Sequence, residues 1–134
     1  MPDVIELVVA TPERELVREQ VESVQVPGQD GALGILPGHA PLVGRLGTGV
    51  LVCATGGGRR YFAISGGFLE VLPGQVRILA DQVERAENID VEQARAEWKR
   101  ALEALGHQTM QTVPAEMLAA EERARARVDA AERK

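Results

Sequence analysis

The residues of this chain best suited to chemistry are the arginines of its last third. Arg123 and Arg127 stand four apart, which places them on one face of a helix, with Arg125 off to the side. Arg100 lies on the preceding helical segment. A guanidinium presents a fork of N–H donors that fits carboxylate and phosphate groups. If the two segments fold back on each other, Arg100 approaches Arg123 and Arg127. Three such cations repel one another unless a polyanion such as a triphosphate bridges them. Two other readings stay open. The arginines can pair with Glu97, Glu121, Glu122 and Asp129 on their own helices, each such pair contributing about 0.3–0.5 kcal/mol. They can also meet an acidic protein partner.

Bond-making chemistry has no comparable constellation. A nucleophile needs a base within reach, and the two histidines, His39 and His107, sit in different segments. Ser65 precedes Gly66-Gly67 without a histidine partner, and Cys53 has the apolar neighbours of a buried small hydrophobe. A hydrolase built on Cys53 or Ser65 would therefore lack its base. Gly56-Gly57-Gly58 is followed by Arg59-Arg60, not by the Lys-Ser/Thr of a phosphate loop. One cysteine and two separated histidines do not make a metal site. Asp81, Glu84 and Glu87 read as a solvated linker. The expectation is a binding module, not an enzyme.

The elements that must position the arginines follow from composition and pattern. The 134 residues suit one ordinary domain, and 45% hydrophobic content can bury a core. Aromatics are 3%, so that core is built from Val, Leu, Ile and Ala. The net charge of −5 is spread over both halves of the chain, and neither carries a nucleic-acid footprint. Of 15 basic residues 13 are arginine, a bias that codon usage alone can produce. The lone Cys53 fits a reducing compartment. Asp3 and Glu6 argue against a signal peptide, and no run reaches the ~18 apolar residues of a membrane span.

Short β-branched runs fill the first 80 or so residues. They are Val4–Val9, Glu13–Val17, Val21–Val26, Val50–Ala54, Tyr61–Ile64, Phe68–Leu72 and Val76–Leu79. The glycines at 56–58 and the pair Pro73-Gly74 mark two hairpins. Such closely spaced strands argue for a sandwich or barrel. Near residue 88 the period changes. Val91, Ala94, Trp98, Leu102 and Leu105 recur at helical steps, with Asp90 as cap, Gln93 as its capping-box partner and Gly106 as stop. After a turn over 106–113, Pro114 opens a second helix striped by Met117, Ala120, Ala124, Val128 and Ala131. An alanine face gains little from burial. The hairpin is thus either weakly docked and free to rearrange, or packed firmly on the sandwich.

The segment Asp30-Gly31-Ala32-Leu33-Gly34-Ile35-Leu36-Pro37-Gly38-His39-Ala40-Pro41-Leu42 resembles a signature loop of the epsilon subunit of bacterial F-type ATP synthase. Ile64–Phe68, Glu70-Val71 and Val76–Asp81 resemble its second signature, and Glu84–Glu87 with Ile89-Asp90 its linker. The resemblance runs in order along essentially the whole chain. It implies an α+β protein in two parts. The first, residues 1–86, is an antiparallel β-sandwich of about ten strands that binds the stalk and rotor. The second, residues 87–134, is a regulatory antiparallel two-helix hairpin. It implies a peripheral place on the cytoplasmic side of the bacterial inner membrane, with no direct insertion. Its implied partners are the gamma subunit, the c-subunit ring and, through an extended hairpin, the alpha and beta subunits. The loop carrying Asp30, Gly31, Gly38, His39 and Pro41 would face the c ring, although many relatives are acidic where this chain has Ala32. Arg123, Arg125 and Arg127 would meet an acidic segment of a beta subunit and so inhibit ATP hydrolysis. In some members the folded hairpin binds ATP. Glu84, Ile89, Asp90, Arg100, Arg123 and Arg127 match that site, while Gln93 replaces its motif arginine, a loss that predicts weak or no ATP binding and no required cofactor. The alternative is a stand-alone nucleotide-sensing binding module.

Overall fold

A computed structural model of the chain describes residues 3–109 and 111–133. The turn expected over 106–113 contains Met110, which lies outside the described residues. Eight strands come first: β1 (Ile5–Ala10), β2 (Glu15–Val21), β3 (Ser23–Gly28), β4 (Gly31–Ile35), β5 (Leu42–Arg45), β6 (Thr48–Thr55), β7 (Gly58–Leu72) and β8 (Gln75–Arg85). A 3₁₀ turn, Ala86–Asn88, leads to α1 (Val91–Gly106) and α2 (Ala115–Arg133).

The strands pair in the order β2-β1-β8-β7-β6-β3-β4, and β5 adds to β7. About ten strands were expected from the resemblance, and eight are found among the described residues because two of them are long. Residues that look like separate runs, Tyr61–Ile64 and Phe68–Leu72, belong to one 15-residue strand. Its first half pairs with β6 (Thr48 opposite Ser65) and its second with β5 (Arg45 opposite Phe68). It changes partner, and so passes from one layer of the sandwich to the other, at Gly66-Gly67. Both glycines have positive φ, 69° and 113°. A Cβ on Gly67 would lie 2.1 Å from the Leu79 carbonyl oxygen. Only glycine lets β8 stay hydrogen-bonded past this corner. Among the described residues the pairing is antiparallel with one exception, β1 beside β8, where Leu7 stands opposite Val76 and Val9 opposite Ile78.

Alternation along the strands fills the sandwich. Ile5, Leu7 and Val9 of β1 meet Phe62, Ile64, Leu69 and Val71 of β7 and Val76, Ile78 and Ala80 of β8 in one buried cluster. Cys53 is buried in the same cluster, and loss of hydration pushes its thiol pKa up. It behaves as a small hydrophobe, as its neighbours suggested.

The helices form further layers on one outer face. α2 packs on β6 and β7, and α1 packs on α2. A second cluster joins Ala63, Ala86, Ile89, Ala94, Val128, Ala130 and Ala131, with Val50, Tyr61 and Trp98 at its edge. α2 buries Ala124, Ala126, Val128, Ala130 and Ala131, a wider surface than one stripe, because it faces both the sheet and α1. The far end of the hairpin is open. Leu102 of α1 and Leu118 of α2 are each 46% exposed, so Leu102 does not take the buried place its spacing suggested.

Candidate functional site

The 3₁₀ turn and the cap set where α1 begins. Ile89 is buried in the inter-layer cluster. Asp90 then caps the helix, its Oδ1 accepting from the Gln93 backbone N–H at 3.1 Å. This local chemistry lays α1 beside α2 with Trp98 at the seam, where its indole N–H donates to Glu121 Oε2 at 2.9 Å.

Arg127 occupies the centre of the resulting junction. Its Nε and Nη2 donate to the two oxygens of Glu84 on β8, at 2.7 and 3.2 Å. Its Nη1 donates to Glu97 Oε2 on α1 at 2.8 Å. One guanidinium therefore ties the sheet and both helices together. The hydrogen bonds to Glu84 raise the arginine's pKa above its ordinary value, and partial burial opposes them. Arg123 pairs with Glu116 at 2.6 Å and Arg125 with Glu121 at 3.4 Å. Those two arginines do pair along their own helix. Arg127 does not, since its partners lie on other elements.

A cleft of about 170 Å³ opens beside this junction, lined by Ser65, Gln82, Glu84, Arg123, Ala126 and Arg127 among others. It gathers three of the six residues matched to a nucleotide site: Glu84, Arg123 and Arg127. Arg100 is exposed on α1 and does not line it, Asp90 is engaged as the cap, and Ile89 is buried. The cleft falls below the ~300 Å³ at which pockets usually enclose a small ligand. Glu97 was expected to pair within its own helix, and its pairing with Arg127 of the other helix is what sequence reading missed. Its position across the helix seam was the available signal, and it required the register of the two helices.

The signature loop is set apart from this junction. β3 turns through Asp30 into β4, with Gly31 at a φ of 134°. Beyond β4, Leu36-Pro37-Gly38-His39 forms a turn in which the His39 N–H donates to the Leu36 carbonyl at 3.0 Å and Gly38 has a φ of 88°. Proline followed by a positive-φ glycine is the sequence a type II turn needs. His39 Nδ1 lies 2.7 Å from the Ala40 carbonyl, which fixes the ring, and Pro41 leads into β5. The loop is therefore shaped by turn chemistry while Leu36 remains exposed.

A sandwich bearing a docked helical pair, with ordered turns at its surface and with Arg123, Arg125 and Arg127 held by carboxylates, defines a small binding subunit. Residues 4–86 match the family model described as "ATP synthase, Delta/Epsilon chain, beta-sandwich domain". The ATP synthase epsilon chain of Solibacter usitatus is 54% identical over 134 residues, the whole of both chains. That of Carboxydothermus hydrogenoformans is 47% identical over 109 residues, 81% of each chain. A chain in the cryo-EM structure of Euglena gracilis mitochondrial ATP synthase (OSCP/F1/c-ring, rotational state 1) superimposes with a TM-score of 0.78 at 28% identity. That match covers 91% of this chain and 78% of the other. The chain belongs to the ATP synthase epsilon chain family and is a subunit of that membrane-associated complex. No helix among its described residues is long and apolar enough to cross a membrane.

Proposed function

We propose that this chain sits in the central stalk of a bacterial F-type ATP synthase, on the cytoplasmic side of the inner membrane. There it couples the rotor to the catalytic head. The sandwich, residues 1–86, binds the gamma subunit and rests on the c ring through Asp30, Gly31, Gly38, His39 and Pro41. What supports this contact is a loop stiffened by its own turn bonds, so that docking orders little further backbone. A row of exposed apolar side chains also suits a protein partner: Phe68 of β7 pairs with Leu79 of β8, and Val43 lies on the neighbouring β5.

The hairpin, residues 87–134, is a regulatory arm. Docked, it lies along β6 and β7. Extended, it reaches the alpha and beta subunits, where Arg123, Arg125 and Arg127 meet an acidic segment of beta and stop ATP hydrolysis. One observation carries this reading: α2 is held on the sheet by alanines, Val128 and one partly exposed ion pair, Arg127–Glu84, not by large interdigitated side chains. The isolated chain binds ATP weakly or not at all. Gln93 stands where an arginine would be needed, and Glu84 and Glu97 already occupy Arg127.

Truncation tests the proposal. The complex is assembled with a chain ending after residue 87 and compared with the full-length complex. Retention of gamma and the c ring in a pulldown, with a rise in ATP hydrolysis, is expected. Unchanged hydrolysis refutes the inhibitory role, and loss of gamma and the c ring refutes the placement of the sandwich.

A further inference from the structure

We infer that Arg127 is an exchange clasp: its guanidinium holds the hairpin docked by binding Glu84 and Glu97 of its own chain, and no bound ligand is required. The inference rests on the proposed movement of the hairpin, and it names the contact that sets the balance. α2 carries the apolar contacts to β6 and β7, whereas α1 rests on α2. Glu84 lies on β8 opposite Ala63, a strand residue buried under the helices, so that carboxylate is fixed to the sheet. Glu97 lies on α1. Through Arg127 the helix that does not sit on the sheet is tied to it by charge.

The degree of burial gives the clasp its strength and its reversibility. The Arg127 side chain is 23% exposed, against 58% for Arg125 in its pair with Glu121. Partial withdrawal from water strengthens the Arg127 pairs relative to a surface pair. None of the three groups is sealed from solvent, so each regains water when the hairpin leaves. A deeply buried triad would form a lock whose opening stranded charges without partners. This one biases an equilibrium.

The same guanidinium cannot be held by both carboxylates and also engage an acidic partner with the same N–H groups. Docked and extended states therefore compete for Arg127, each supplying carboxylates. Because Glu84 and Glu97 already provide the anionic charge, the docked state forms without phosphate.

Hydrogen exchange on the isolated full-length chain tests this with a double-mutant cycle of Glu97→Gln and Arg127→Gln. Charge-assisted bonds of this kind predict that Glu97→Gln speeds exchange of α1 and α2 amides roughly tenfold, with the strand amides unmoved. Arg127→Gln is expected to have at least that effect, and the double variant to be no faster than Arg127→Gln alone. Inorganic triphosphate should not slow exchange in the unmodified chain. Full additivity, unchanged exchange in Glu97→Gln, or protection by triphosphate would each overturn the clasp. The readout needs no catalytic complex. If the cycle holds while Glu97→Gln leaves hydrolysis by the assembled complex unchanged, the clasp stands and the inhibitory reading fails.

Discussion

Enlarging Ala130 should shift the hairpin without touching any charged group. Ala130 is fully buried in the cluster between the sheet and the helices. At about 0.8 kcal/mol per buried carbon, the four alanines and one valine that α2 buries contribute only on the order of 5 kcal/mol before ordering costs. Ala130→Leu adds three carbons where no space exists, a change that costs about 1–3 kcal/mol in a packed interior. The sandwich keeps its own core, so the cost falls on docking. It lowers the ratio of docked to released hairpin by roughly five- to a hundredfold, at tenfold per 1.4 kcal/mol. In the isolated chain, α1 and α2 amides should lose protection while the strands keep theirs. In the assembled complex, ATP hydrolysis should fall, because a freed hairpin spends more time extended. This is the opposite sign to truncation. Hydrolysis that rises, or helical protection that does not change, would refute the reasoning that weak packing holds the arm down.

Two further outcomes follow from the fold. Gly67→Ala places a methyl group against the Leu79 carbonyl at a positive φ. It should prevent β7 and β8 from turning the corner, and a thermal melt should show loss of the sandwich transition, whereas Gly34→Ala, with open space around it, should melt near the unmodified chain. The Cys53 thiol is raised by burial from an ordinary value of 9.0. Below that value folded and unfolded chains both keep the proton. Above it the unfolded chain loses the proton first, so stability falls as pH rises toward the folded pKa. Denaturant titrations from neutral to alkaline pH should show that fall, and Cys53→Ala should flatten it. An unchanged slope would remove the thiol as its cause.

Where the physics is local, the sequence was readable. The Gly56-Gly57 turn, the Asp90 cap and the end of α1 at Gly106 depend on residues next to one another, and they lie where the pattern puts them. What escaped depends on distant partners. Gly66-Gly67 looks like a break between strands, yet it is a corner within one strand, because β8 continues the ladder past it. Ala126 and Ala130 carry no signal in a hydrophobic pattern, and only the packing of α2 between two layers makes them interior. Leu102 fits a helical stripe but lies where the hairpin opens. Arg127 could be picked out as a candidate. Its partners, 43 and 30 residues away, required three elements to be in place.

In the proposed mechanism a sheet-built anchor stays on the rotor while a lightly held pair of helices changes place. The most direct measurement tethers that pair. Gln25 of β3 and Asp129 of α2 are exposed and border one cleft, whereas Cys53 is buried away from reagents. A complex carrying Gln25→Cys and Asp129→Cys would be joined by a short bifunctional maleimide and assayed for ATP hydrolysis. With the hairpin held down, hydrolysis should match that of the truncated complex and exceed that of the same complex before cross-linking. A tethered complex that stays as inhibited as the free one would contradict the account.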